Sequence, residues 1–280
     1  MKLCRFNDDR LGLVEGDRVR DVSAALALLP VVRWPLPMGD LLIANLDKIR
    51  AEIEKIAPQA QSHAIKDVKL LSPVANPTKI IGAPSNFVKS TVSAEINFGR
   101  ERVPIQGKGL FLKACSSLVG PSEDCKLRFL DRRNDPEIEV AIIIGRKGSD
   151  IPEEEALGHV AGYAIGLDMT LRGKEDASFR KSIDTYSIVG PWLVTADEVP
   201  DPDNLDLTLR VGNELRQNAN TRQQVLNMAQ LISWASSFYT LYPGDIIMAG
   251  TPEGLERIKP GDVMNCEISK IGAMDVRIAE

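Results

Sequence analysis

Two glutamates stand two residues apart at the mouth of an apolar run, Asp135-Pro-Glu137-Ile-Glu139-Val-Ala-Ile-Ile-Ile-Gly145. Beyond Glu139 the run is apolar and mostly β-branched, which reads as a buried strand over 138–145. On a strand, side chains two apart face the same way, roughly 7 Å apart at Cα. The E-x-E spacing alone more often marks a solvated face; the apolar run behind it argues for burial. Two carboxylates at the rim of a buried strand repel each other unless protons or a cation sit between them. A divalent ion with oxygen ligands is the simplest solution. Downstream, Gly162-Tyr-Ala-Ile-Gly-Leu-Asp168 reads as a second strand that could bring a third carboxylate to the same place.

Other chemistries are excluded by count. The chain has 2 histidines, His63 and His159, which rules out a three-His zinc site. His159 falls in an expected helix over 152–160 and His63 in a polar linker, and both read as ordinary structural or solvated residues. The 4 cysteines (Cys4, Cys115, Cys125, Cys266) form no C-x-x-C pair and fit reduced thiols, hence a cytoplasmic location. A net charge of -5 argues against nucleic acid or an anionic membrane as partner. No run of 18 apolar residues occurs, so no membrane span is expected. The N-terminus is too polar for a signal peptide.

The elements that must position these residues are short and mostly extended. Residues 2–21 read as three strands with turns at Asn7-Asp-Asp9 and Glu15-Gly-Asp17. Leu46, Ile49, Ile53 and Ile56 share one face of a helix over 46–57, with Asn45 as its N-cap. A linker at 57–63 closes a small N-terminal α+β domain, 1–70. From residue 71 onward strands dominate: 79–82, 109–112, 138–145, 161–168, 205–211, 245–249, 262–268 and 273–278. Two Pro-Gly-Asp turns, at 243–245 and 260–262, each launch a strand. One later helix is expected over 221–237. This density suggests a mostly β fold with some α, of β-roll or barrel type. The segment 88–108 reads as a loop.

At this resolution of motifs the chain resembles the fumarylacetoacetate hydrolase family, in particular its shorter bacterial members. The resemblance rests on Gly82…Asn86-Phe87, Phe111-Leu-Lys113, Glu137-x-Glu139, Gly162-Tyr…Asp168-x-Thr-x-Arg172, Lys181-Ser-Ile-Asp184, Gly190-Pro-Trp192, Arg216-Gln217 and Pro243-Gly-Asp…Gly250-Thr-Pro252. They occur in order across roughly 70–280. The resemblance implies a β-roll-like catalytic domain over 71–280, a homodimer, and Mg²⁺ or Mn²⁺ held by Glu137, Glu139 and Asp168. It implies a catalytic role for Lys181 and small 2-oxo acids as substrates. A 2-oxo carboxylate can chelate a hard ion, which then stabilises the enolate formed on reaction. Arg172, Thr251, the Gly250 turn and Asn86 are the expected substrate contacts.

One departure matters. Family hydrolases carry N-Y-x-x-H followed by a glutamate, a dyad that activates water. Here the segment is Asn86-Phe87-Val88-Lys89-Ser90, with Ser93 at the glutamate position and Glu95 close by. A serine hydroxyl is no general base near neutral pH without a partner. Lys89, Glu95 or hydroxide on the ion are the candidate bases. The expected activity is therefore metal-dependent hydrolysis of a C–C bond in a 2,4-dioxo acid with an altered base. The alternatives are isomerisation or decarboxylation through the same metal enolate, and a non-catalytic binding protein.

Overall fold

The structure is a computed structural model that describes residues 1–89, 103 and 105–279. Its centre is the strand Ile138–Ile144, buried at all seven positions. Val160–Asp168 and Ile246–Met248 flank it, both antiparallel. Odd and even side chains enter different cores. Ile138, Val140, Ile142 and Ile144 pack into one, while Ala141 and Ile143 pack with Ala164, Val189 and Met248 into the other. A strand covered on both faces reads as a continuous apolar run, as this one does.

Beyond Val160–Asp168 lies Ser187–Thr195, again buried throughout. The N-terminal strand Lys2–Phe6 pairs with it and carries Arg10–Glu15, Arg18–Asp21 and Ser62–Ala64 outward. On the other side Ile80–Gly82 and then Phe111–Lys113 complete the sheet. The path is open: no strand pairing among the described residues closes it into a barrel. A separate four-stranded sheet contains Glu214–Asn220, Asp206–Val211, Val263–Ile268 and Gly272–Arg277 in that order. The sheet-dominated architecture with few helices is the one expected.

Several local expectations shift. The helix Leu46–Ile56 begins at Asn45, but the Asn45 amide donates back to the Leu41 carbonyl instead of capping it. The supposed linker holds the edge strand Ser62–Ala64, which pairs with Arg18–Asp21. The later helix shrinks to Met228–Ser236, capped by a reciprocal Asn227–Gln230 box. His159 ends a short 3-10 turn, buried against Arg146 at 2.9 Å.

Candidate active site

Strand register assembles the three carboxylates. Ile138 pairs with Leu167 and Glu139 with Gly166, which sets Glu137 beside Asp168. The Asp168 N–H donates to the Glu137 carbonyl at 2.9 Å. Alternation places all three side chains on the sheet face that carries Ala141, Ile143 and Ala164. One oxygen from each lies within 4.8 Å of the others, and all three residues are buried. Gly166 keeps this face thin: a Cβ there would come 2.5 Å from the Met248 sulfur.

Cations from three other elements close on the trio. Lys181, at the end of the short helix Ala177–Lys181, donates to Glu137 Oε2 at 2.6 Å, Asp168 Oδ2 at 2.7 Å and Thr170 Oγ1 at 2.5 Å. Lys113, at the end of Phe111–Lys113, donates to Asp168 Oδ1 and to the Tyr186 carbonyl at 2.9 Å. Its side chain is 0% exposed. Arg172 spans Asp135 Oδ2 at 2.6 Å and Glu137 Oε1 at 2.8 Å. Glu139 Oε2 accepts the Gly250 N–H at 2.6 Å.

These contacts drive the carboxylates apart in acidity. Burial alone would raise Glu137, but Lys181 and Arg172 outweigh it and lower its pKa to about 2. Burial and the Asp168 charge push Glu139 well above the usual carboxylate range, against Lys181 and the Gly250 N–H. Lys113 is lowered by burial in spite of Asp168, whereas the surrounding carboxylates hold Lys181 above its ordinary value against the same burial. The charge deficit of the cage therefore sits at Glu139. A cation between the three carboxylates would supply it. The donors are hard oxygens with no thiolate or imidazole among them, a set that suits Mg²⁺ or Mn²⁺ better than Zn²⁺.

The opposite wall is the turn after Ile246–Met248. Gly250 has φ +98°, and a Cβ there would meet Asn86 Cβ at 2.6 Å, so glycine meets both demands. Asn86 is fully buried and staples this turn: its amide donates to the Ala249 carbonyl at 2.8 Å and accepts the Leu226 N–H at 2.9 Å. Gln217 donates to Thr251 Oγ1 at 2.9 Å and accepts the Ile138 N–H at 3.0 Å. It thus ties Thr251 to the strand that carries Glu139.

Of the residues expected at the site, Glu137, Glu139, Asp168, Lys181 and Arg172 converge, with Gly250 against Glu139 and Thr251 beside it. Lys89 stands apart at the rim, its side chain 69% exposed and 3.7 Å from Glu253. Glu95, with Ser90 and Ser93, lies outside the described residues. Lys113 and Gln217 belong to the quoted motifs, but the sequence assigned them no role. The signal for Lys113 was a lysine two residues from Phe111 on one strand, which burial of Phe111 would carry inward.

Sheet order, buried trio and glycine turn together define the class: the chain belongs to the fumarylacetoacetate hydrolase family, whose C-terminal domain matches residues 79–279. It is 51% identical to a maleylpyruvate hydrolase of Aquipseudomonas alcaligenes, covering 99% of both chains. It is 35% identical to a mitochondrial oxaloacetate tautomerase of Xenopus laevis, over 98% of this chain and 89% of that one. The crystal structure of a Sphingobium maleylpyruvate hydrolase in complex with manganese(II) and pyruvate superposes with a TM-score of 0.85 at 38% identity, covering 100% of this chain and 99% of that one.

Proposed function

We propose that this chain is a divalent-metal-dependent hydrolase that cleaves the C–C bond of an acylpyruvate-type 2,4-dioxo acid. The observation that carries this is the buried carboxylate trio with its charge deficit at Glu139. The 51% identity to a maleylpyruvate hydrolase favours hydrolysis over tautomerisation, for which the relative stands at 35%. Glu137, Glu139 and Asp168 would hold Mg²⁺ or Mn²⁺, and manganese in the Sphingobium structure supports that choice. When bound, the ion supplies Lewis-acid polarisation of the 2-keto group.

The chain's own residues do the rest. Lys181 holds a fixed positive charge between Glu137 and Asp168, beside the place where the enolate's negative charge develops. Thr251, fixed by Gln217, offers its hydroxyl to the substrate carboxylate. Arg172, already spanning two carboxylates, is better suited to orienting Glu137 than to taking a substrate group. In the overall reaction water's hydroxyl bonds to C4, the C3–C4 bond breaks with its electron pair left on C3, and C3 takes a proton. The products are an acid and pyruvate. We assign proton acceptance from water to Glu95 rather than Lys89, because a carboxylate can take a proton near neutral pH and the Lys89 side chain is 69% exposed.

We further propose a homodimeric, cytoplasmic protein. Four free thiols support a reducing compartment. No helix among the described residues is long and apolar enough to cross a membrane. The test of function is incubation of acylpyruvates with the protein and Mn²⁺, with pyruvate and the partner acid followed by mass. Pyruvate and acid in equal amounts are expected, and Glu95→Gln should slow their release by about 10²–10⁴. Tautomer exchange without cleavage would refute the assignment.

A further inference from the structure

A second cavity opens beside the carboxylate cage. It measures about 280 Å³ and is lined by Phe87–Lys89, Asn218, Ala219, Gln223, Pro252 and Glu253. Both walls continue directly from the site. Asn86 and Gly250 touch there, and Phe87–Lys89 and Thr251–Glu253 run on from them. Three residues reach at most roughly 10 Å, so the cavity lies within one small molecule's length of Glu139. Phe87 is 2% exposed and gives the cavity an apolar surface. Among the described lining residues the one cation is Lys89, whose ammonium stands 3.7 Å from Glu253 Oε1.

We infer that this cavity receives the acyl tail of the substrate and that Lys89 selects tails ending in a carboxylate. The inference rests on the acylpyruvate reading above. A 2,4-dioxo acid held by its 2-oxo carboxylate end at the cage directs everything beyond C4 away from it, and the 86–89 and 250–253 segments frame the space it enters. At about 30 Å³ per water-sized group the cavity has room for about nine such groups, enough for a short acid tail. Phe87, Val88, Ala219 and Pro252 suit the tail's carbons, while Asn218, Gln223, Lys89 and Glu253 offer polar groups. The Lys89–Glu253 pair is long and exposed on both sides (69% and 46%), so it is weak and exchangeable. An incoming carboxylate, partly desolvated by Phe87 and Pro252, replaces Glu253 as partner of Lys89. Among the described lining residues Glu253 balances the charge of Lys89 and disfavours tails that offer the lysine nothing in return. Lys89 is thus a specificity residue for the far end of the substrate, distant from the bond that breaks.

The experiment compares two acylpyruvates of equal tail length, one ending in a carboxylate and one in a methyl group. Both are assayed with the Mn²⁺-loaded unmodified protein, Lys89→Met and Glu253→Gln. Lys89→Met should raise KM for the acid-tailed substrate about tenfold relative to the methyl-tailed one, with kcat moving less than KM. Glu253→Gln should shift the same ratio in the opposite direction, about threefold. An equal KM change for both tails would overturn the inference and leave the hydrolase reading intact. So would a fall in kcat for both tails, which would point to Lys89 as a base. Absence of cleavage of either substrate by the unmodified protein would overturn the hydrolase reading and this inference with it.

Discussion

Lys113→Met is the most discriminating change the site offers. The lysine is wholly buried and donates to Asp168 and to the Tyr186 carbonyl. Methionine keeps the length and loses the charge. Removing one partner of a buried pair costs about 3–5 kcal/mol, and Asp168 keeps Lys181 as a second partner, so about 3 kcal/mol is the figure to use. For a chain of this size that corresponds to a fall in Tm of about 6–12 °C without metal. A bound ion takes over the missing charge beside Asp168, and the loss with saturating Mn²⁺ should shrink to about 1 kcal/mol. The difference of about 2 kcal/mol appears in binding as about thirtyfold tighter Mn²⁺ in the variant, since coupling is reciprocal. Melting curves in chelator and in Mn²⁺, with calorimetric titration of each protein, measure both arms. Unchanged or weaker Mn²⁺ binding, with the same Tm loss in either condition, would show that Lys113 is not coupled to the ion site.

Glu139→Gln should leave the metal-free protein within about 1 kcal/mol of its stability, because burial already favours the uncharged carboxyl there. The same change should weaken Mn²⁺ binding at least tenfold by calorimetry, and equal affinity would remove Glu139 from the ligand set. Native-state alkylation should label Cys115 first, the one partly exposed thiol. Cys4 and Cys125 should react only on unfolding, since burial raises both to about 12. Adduct mapping that finds Cys4 or Cys125 labelled first would contradict the packing. Light scattering at micromolar concentration should give twice the chain mass, and a monomer would argue against the homodimer.

The sequence was most readable where one physical signal acted alone. The run 138–144 announced a strand by composition and pointed to burial of Glu137 and Glu139, while the family resemblance supplied their assignment, with Asp168, as ligands. Ser187–Thr195 escaped, although it is buried throughout and lies between the N-terminal strands and the centre. Gly190 and Pro191 interrupt its pattern, and proline within a run argues against a central strand. Glu214–Asn220 escaped for the opposite reason: ELRQNAN is polar, and its pairing comes from its neighbour Asp206–Val211 rather than from burial. Helix ends were misjudged where polar caps decide them, as Asn227 does with Gln230. The spacing from Phe111 could say that Lys113 points inward but not what it meets, and Gln217 carried no sign of its task, because their partners Asp168, Thr251 and Ile138 are distant in sequence. Only the folded register brings them into reach.

The centre of the sheet has a consequence for how the molecule breathes. Glu139 stands on a strand buried at every position, and Asp168 closes a second one whose last seven residues are buried. Parting Ile138–Ile144 from Val160–Asp168, which would part Glu137 and Glu139 from Asp168, costs close to the free energy of unfolding the whole molecule. Amide protons on these two strands should therefore exchange with solvent only through global opening. An ion seated among the carboxylates slows that exchange by the factor with which it favours the folded state. Lys89 and Glu253, by contrast, are exposed side chains at the rim. The carboxylates are thus held by the part of the fold that opens last, while Lys89 and Glu253 stand at its exposed margin.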